Sequence, residues 1–258
     1  MAVPEEIHKI IRDSGNNFHA KVARWLVEDG WHIRVSPYYM DQTQNKAREI
    51  DLVAEKAFEI QSNPGQRFSE LVVRLFVECK FIQGHSVFWL SDKDEEAAER
   101  LVCHQGGGFR PYNSYTKRHH YLSEAKKVAK LFATTKSPEQ DPFYKALNQV
   151  LNAQVSMKGQ QLAVIDGSTS TVGGVLNYPV IVCSTFDGVY ATDFLSHAEP
   201  TPLQENFQLE VQYAYANSAG SVRDEYFLID IVEFAQLQSF SEALDRDAKS
   251  ACMLLSRG

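Results

Sequence analysis

Three side chains in the first third of the chain, Asp51, Glu78 and Lys80, have the types and setting for metal-dependent hydrolysis. They lie in two apolar, β-branched runs, Arg48 to Lys56 and Leu71 to Phe81, separated by turn chemistry at Ser62, Asn63, Pro64 and Gly65. That arrangement predicts a hairpin. Side chains alternate along a strand, so Glu78 and Lys80 share one face while Val77, Cys79 and Phe81 share the other. Asp51 stands among Ile50, Leu52, Val53 and Ala54, where a carboxylate without compensation is costly to bury. Two carboxylates converging from adjacent strands offer hard oxygen ligands to a divalent cation such as Mg²⁺, and a lysine beside them can orient a nucleophilic water or offset charge developing at phosphorus.

The elements that must position this set read as an alternation of helices and strands. Phe18 to Glu28 is a helix that stops at Gly30, with Phe18, Val22, Trp25 and Leu26 as its core stripe and His19 at the margin. Trp31 to Tyr39 reads as one strand, and the hairpin follows. Beyond it come the apolar Val87 to Leu90, a helix starting at Asp92, a basic amphipathic helix over Leu122 to Phe132, and a helix over Pro142 to Met157. Tyr178 to Phe186 is a β-branched run of the sort buried on both faces. Asp187-Gly188 turns it into a second hairpin with Val189 to Phe194. Strands at Phe207 to Ala216 and Tyr226 to Glu233 and a terminal helix from Ser239 to Leu255 complete the chain.

Asp51, followed after 26 intervening residues by Glu78-Cys79-Lys80, resembles the Asp...Glu-x-Lys signature of the PD-(D/E)XK, or restriction-endonuclease-like, nucleases. The order helix, strand, strand, strand around it is similar to that family's core. The resemblance covers roughly residues 15–194 and implies an α/β fold, a central mixed β-sheet flanked by helices. It also implies phosphodiester hydrolysis in DNA, with Mg²⁺ or Mn²⁺ as cofactor, Asp51 and Glu78 as catalytic ligands and Lys80 as the catalytic lysine. Where many relatives carry a glutamate on the first helix, this chain has His19. In the RecB-type branch a helix histidine is a metal ligand, so the resemblance implies His19 as a third ligand; packing at the helix margin is the other role open to it. Glu49 and Gln83 flank the set as candidate supporting residues. By family analogy the biological setting is prokaryotic defence or restriction.

Charge is unevenly distributed. The net charge is -7, yet residues 100–136 carry eight Lys/Arg against one acid, while residues 187–247 carry twelve Asp/Glu against two arginines. The first stretch contains three glycines, then Arg110, Tyr112, Tyr115, Lys117 and Arg118, followed by His119, His120 and Tyr121. Aromatics can stack on bases while cations meet phosphates, so this stretch and Lys126 and Lys130 of the following helix are the expected nucleic-acid surface, for DNA with RNA not excluded. The acidic stretch is the expected contact for a protein partner or a second copy. A binding or assembly subunit without catalysis is the alternative function, and the presence of Asp51, Glu78 and Lys80 together argues against it.

The chain has 258 residues and ordinary globular composition, with a hydrophobic fraction of 44%. No apolar run approaches the roughly 20 residues of a membrane span, and Glu5, Glu6 and Lys9 stand where a signal peptide is apolar, so a cytoplasmic protein without membrane association is expected. The four cysteines have no C-x-x-C spacing, which argues against a zinc ribbon. Two parts are expected: a nuclease core over residues 1–198 with the basic insertion at about 100–121, and an acidic α+β extension over 199–258 packed on that core.

Overall fold

A computed structural model describes residues 3–41, 45–60, 70–105, 116–135, 141–159, 172–196, 198–216 and 220–256. Helix α1 (Glu5–Asp13) leads into α2 (Gly15–Glu28), and then into β1 (His32–Val35), β2 (Tyr38–Asp41), β3 (Lys46–Glu49), β4 (Leu52–Glu59), β5 (Glu70–Lys80) and β6 (Ser86–Asp92). After α3 (Glu95–His104) come a 3-10 turn (Thr116–Arg118), α4 (His120–Ser123), β7 (Lys127–Thr134) and α5 (Pro142–Met157). The chain ends with β8 (Val172–Cys183), β9 (Val189–Asp193), β10 (Thr201–Pro202), β11 (Phe207–Ala216), β12 (Val222–Glu233) and α6 (Leu237–Leu255).

The molecule is α/β. Ten strands form one mixed sheet in the order β1-β4-β5-β8-β12-β11-β7-β6-β9-β10, and β2 and β3 form a separate ribbon. At its centre β5, β8 and β12 run parallel, while β4 is antiparallel to β5 in the register Leu52↔Val77. Both faces are covered, as the uninterrupted apolar run in β8 requires. Val180 and Val182 face a cluster that includes Phe18, Val22 and Leu26 of α2, Ala98 of α3 and Leu244 of α6. Ile181 and Cys183 face the opposite cluster, with Phe143, Val150 and Leu151 of α5. Local signals set the helix ends: Asp141 accepts from the amides of Phe143 and Tyr144 to cap α5, with Pro142 in its first turn. Among the described residues no helix is long and apolar enough to cross a membrane.

Several sequence expectations are corrected. The strand expected over 31–39 is two strands, because Ser36 adopts a φ of 51° and Pro37 has no amide to donate, so the chain bends between β1 and β2. The basic helix expected over 122–132 is instead the end of α4 followed by strand β7, hydrogen-bonded between β11 and β6. Val128 packs into the cluster that holds α2 while Ala129 and Phe132 pack into the opposite one, and the register with β6 shifts between Trp89 and Leu90, so no regular period of two marked this strand in the sequence. The turn at Asp187-Gly188 exists, with Gly188 at φ 83°, but it does not return β9 onto β8. β9 pairs with β6 and β10, since both neighbours of β8 are already taken by β5 and β12. A Cβ at Gly188 would stand 2.6 Å from the Gly84 carbonyl oxygen, a closeness that only glycine permits. Where an acidic extension on the core was expected, residues 207–233 supply two interior strands of the main sheet. Helix α6 likewise contributes Leu237, Phe240, Leu244 and Ala248 to the cluster that holds α2.

Candidate active site

The parallel strands β5 and β8 end together, Lys80 opposite Cys183, and Asp51 sits at the bend that opens β4 at this same edge. In α/β sheets the carboxyl ends of parallel strands are where side chains converge free of the covering helices. The backbone at Asp51 is tied down by its carbonyl, which accepts from the Ser36 amide at 2.8 Å. The carboxylates of Asp51 and Glu78 then cross between strands. Asp51 Oδ2 accepts from the Cys79 amide at 2.8 Å, and Glu78 Oε1 accepts from the Asp51 amide at 3.3 Å. Lys80 Nζ donates to Glu78 Oε2 at 2.8 Å. The structure therefore brings Asp51, Glu78 and Lys80 into one hydrogen-bonded set.

Its electrostatics suit a cation. Glu78 has no exposed surface, whereas Lys80 keeps 17% of its side chain open to solvent. Burial raises the Glu78 pKa to about 7; Lys80 pulls against that shift and the Asp51 charge adds to it. Two acids that repel each other in a dry setting, one of them ready to give up a proton near neutrality, match the oxygen donor set that Mg²⁺ or Mn²⁺ prefers. His19 lies in the second turn of α2, which packs on the sheet face of Val180 and Val182, whereas Glu78, opposite Ile181, is on the other face. The His19 Nε2 is buried with no hydrogen-bond partner, and among the described residues no hydrogen bond joins it to Asp51, Glu78 or Lys80. Glu49 is engaged elsewhere: on the β2–β3 ribbon the Tyr38 hydroxyl bonds its carboxylate, which raises the phenol pKa. Gln83 is exposed in the connection after β5.

The expected nucleic-acid surface fares differently residue by residue. Arg110, Tyr112 and Tyr115 lie outside the described residues. Lys117, Arg118 and Lys126 are exposed. Lys130 pairs with Glu210 of β11. Lys127 pairs with Asp193 at 2.6 Å, and Arg246 of α6 with Glu124 at 3.3 Å. Two of the eight cations of residues 100–136, Lys127 and Lys130, thus meet acids of the acidic stretch within the fold. His119, His120 and Tyr121, expected among the nucleic-acid contacts, are instead buried.

These buried residues form a cluster that spacing did not reveal. His119, His120 and Asp247 bring potential ligand atoms within 4.8 Å of one another. Their hydrogen bonding does not suit a metal. His119 Nδ1 accepts from the Tyr121 amide at 3.1 Å, so the neutral ring carries its proton on Nε2, where a metal would need a lone pair. Burial lowers the His119 pKa to about 3 and keeps that ring neutral. His120 stands between two carboxylates, Nδ1 at 2.5 Å from Asp247 Oδ2 and Nε2 at 3.4 Å from Asp230 Oδ2. Burial favours neutral His120, but Asp230 and Asp247 outweigh it and raise the pKa to about 10. Both nitrogens of His120 accordingly hold protons. Tyr178 and Tyr121 hydroxyls close the network onto Asp247 at 3.4 Å and Asp230 at 3.2 Å. One signal was available: Asp230 between Ile229 and Ile231 is a carboxylate in an apolar run, the same pattern that marks Asp51. No protein-family model, curated protein or solved structure matches the chain.

Proposed function

We propose that the chain is a metal-dependent nuclease of the restriction-endonuclease-like type that hydrolyses phosphodiester bonds in DNA, with Asp51, Glu78 and Lys80 as its catalytic set. The observation that carries this reading is the pair of carboxylates crossed between β4 and β5 at the strand ends, with the Lys80 ammonium 2.8 Å from Glu78. Asp51 and Glu78 would hold Mg²⁺ or Mn²⁺, and the orphaned Nε2 of His19 is a candidate third donor. A divalent cation in such a site supplies charge neutralisation at the phosphate and a more acidic water. Lys80, partly open to solvent, would hold the attacking water by its N–H groups and offset charge on the phosphoryl oxygens as the water oxygen bonds to phosphorus and the bond to the leaving oxygen breaks. The water's proton passes to solvent, and the leaving oxygen takes one from solvent. Backbone amides orient both carboxylates, Asp51 Oδ2 accepting from Cys79 and Glu78 Oε1 from Asp51.

The test is incubation of the purified protein with linear duplex, single-stranded and circular DNA, and with RNA, in Mg²⁺, Mn²⁺ or EDTA. Cleavage in metal, none in EDTA, and none by Asp51→Asn or Glu78→Gln is expected. Cleavage at the wild-type rate by either variant overturns the assignment, and nucleic-acid binding without cleavage under every metal condition supports a binding or assembly role instead. His19→Ala should raise the metal concentration needed for half-maximal cleavage.

A further inference from the structure

Beside the proposed active site lies a second feature, a cleft of about 390 Å³ between the start of α2 and the ends of β5 and β8. Its α2 wall carries Phe18 and a polar stripe: Ser14, Asn17, Lys21 and Arg24 recur at intervals of three or four residues, so they stack on one side of the helix. Its opposite wall is Phe81, the residue after Lys80, and Ser184, whose amide donates to the Lys80 carbonyl at 2.9 Å. Ser184 Oγ accepts from the Ile82 amide at 3.0 Å, which leaves its own O–H to donate. The cleft and the catalytic lysine therefore share a backbone.

Several cations of the fold are paired within it, while others, such as the exposed Lys117, Arg118 and Lys126, are not paired among the described residues. Lys56, Arg74, Lys127, Lys130, Lys158 and Arg246 each contact a carboxylate. Among the described residues Lys21 and Arg24 contact none; Lys21 Nζ instead rests 4.1 Å from the ring centre of Phe234, which fixes its position without neutralising it. Two uncompensated cations converging on one cleft in a chain of net charge -7 mark it for an anion. The side chain of the α2 N-cap, Ser14, makes no capping bond, so the first amides of the helix add partial positive charge at the same end.

We infer that this cleft, on the α2 side of the sheet, binds a phosphate group of the nucleic-acid strand through Lys21, Arg24 and the Ser184 hydroxyl, and so seats the strand over the carboxyl ends of β5 and β8, with the Lys80 side chain on the opposite face. The inference rests on the nuclease reading and extends it to the residues that position substrate. The phosphate is an internal diester of the strand or the monoester at its 5′ end, and the two are separable by experiment.

The experiment measures binding of the full chain and of Lys21→Gln/Arg24→Gln to fluorescent DNA strands bearing a 5′-phosphate or a 5′-hydroxyl, in EDTA across a salt series. Without metal no cleavage intervenes, so binding is read apart from catalysis. Loss of two phosphate contacts should flatten the slope of log K against log salt by about 1.4 on a single strand. Both substitutions are at exposed positions, so the thermal midpoint should stay unchanged. Flattening with both strands identifies an internal diester, and flattening confined to the 5′-phosphate strand identifies the terminal monoester. An unchanged slope for a wild-type protein that does bind DNA overturns the cleft assignment alone. A wild-type protein that binds neither strand overturns the nuclease reading with it.

Discussion

At the scale of single residues, Glu78 is the group whose environment departs furthest from water while remaining titratable near neutrality. Its pKa rises from an ordinary value of 4.5 to about 7 because burial disfavours the carboxylate. The sign of the consequence follows from proton counts. Between pH 4.5 and 7 the folded protein keeps a proton that the unfolded chain has released, so metal-free stability falls as pH rises across that window. The loss at pH 8 is on the order of 3 kcal/mol. Urea midpoints in EDTA should therefore decline over this range for the wild type and stay flat for Glu78→Gln, which should be the more stable protein at pH 8. A variant that keeps the wild-type decline would place the titrating group elsewhere.

At the scale of elements, β7 shows how a sheet recruits a segment whose own pattern is ambiguous. Lys130 faces Glu210, and Glu210 also accepts from the Asp94 amide at 3.0 Å and the Tyr226 hydroxyl at 3.0 Å. This one carboxylate ties β7 and β12 to the approach of α3. Lys130→Ala removes one partner of a part-exposed pair and should cost no more than about 1 kcal/mol. Glu210→Ala strands two donors besides the lysine and should cost about 2 kcal/mol or more. Denaturant unfolding compares the two. If Lys130→Ala also flattened the salt dependence of DNA binding by a full unit, the lysine would be a phosphate contact after all.

At the scale of the whole molecule, the last third of the chain is a structural participant in the core. Asp230 of β12 and Asp247 of α6 hold the imidazolium of His120 between them, and Tyr178 of β8 joins the same network. Asp247→Ala leaves buried donors unpaired and should cost roughly 3 to 5 kcal/mol. His120 is raised from 6.5 to about 10, so its contribution is fully present below pH 6.5 and is lost as pH rises through about 10. Wild-type stability should accordingly fall between pH 8 and 10, and the Asp247→Ala curve should be flatter there. Zn²⁺ at concentrations that saturate ordinary histidine sites should leave the wild-type unfolding midpoint unmoved through this cluster; a rise that Asp247→Ala abolishes would make it a metal site.

The candidate catalytic set was legible along the chain because its members are near in sequence and joined by one hairpin. Alternation places Glu78 and Lys80 on one face, a carboxylate at Asp51 among apolar neighbours demands a compensating partner, and strand pairing supplies the contact. The helices expected over 18–28, 142–157 and 239–255 are present as 15–28, 142–157 and 237–255, since the helical period is local, as is the Asp141 cap of the second. Partners distant in sequence were not. Which strand fills the gap beside β11, which neighbours β8 accepts, and whether Lys127 and Lys130 meet phosphate or Asp193 and Glu210 depend on competition among all the edges and charges the chain presents at once. The same holds for His119 and His120, whose partners lie up to 127 residues away. Local pattern determines what a segment can become, while sheet order, burial and ion pairing are settled only when the long-range partners are in place.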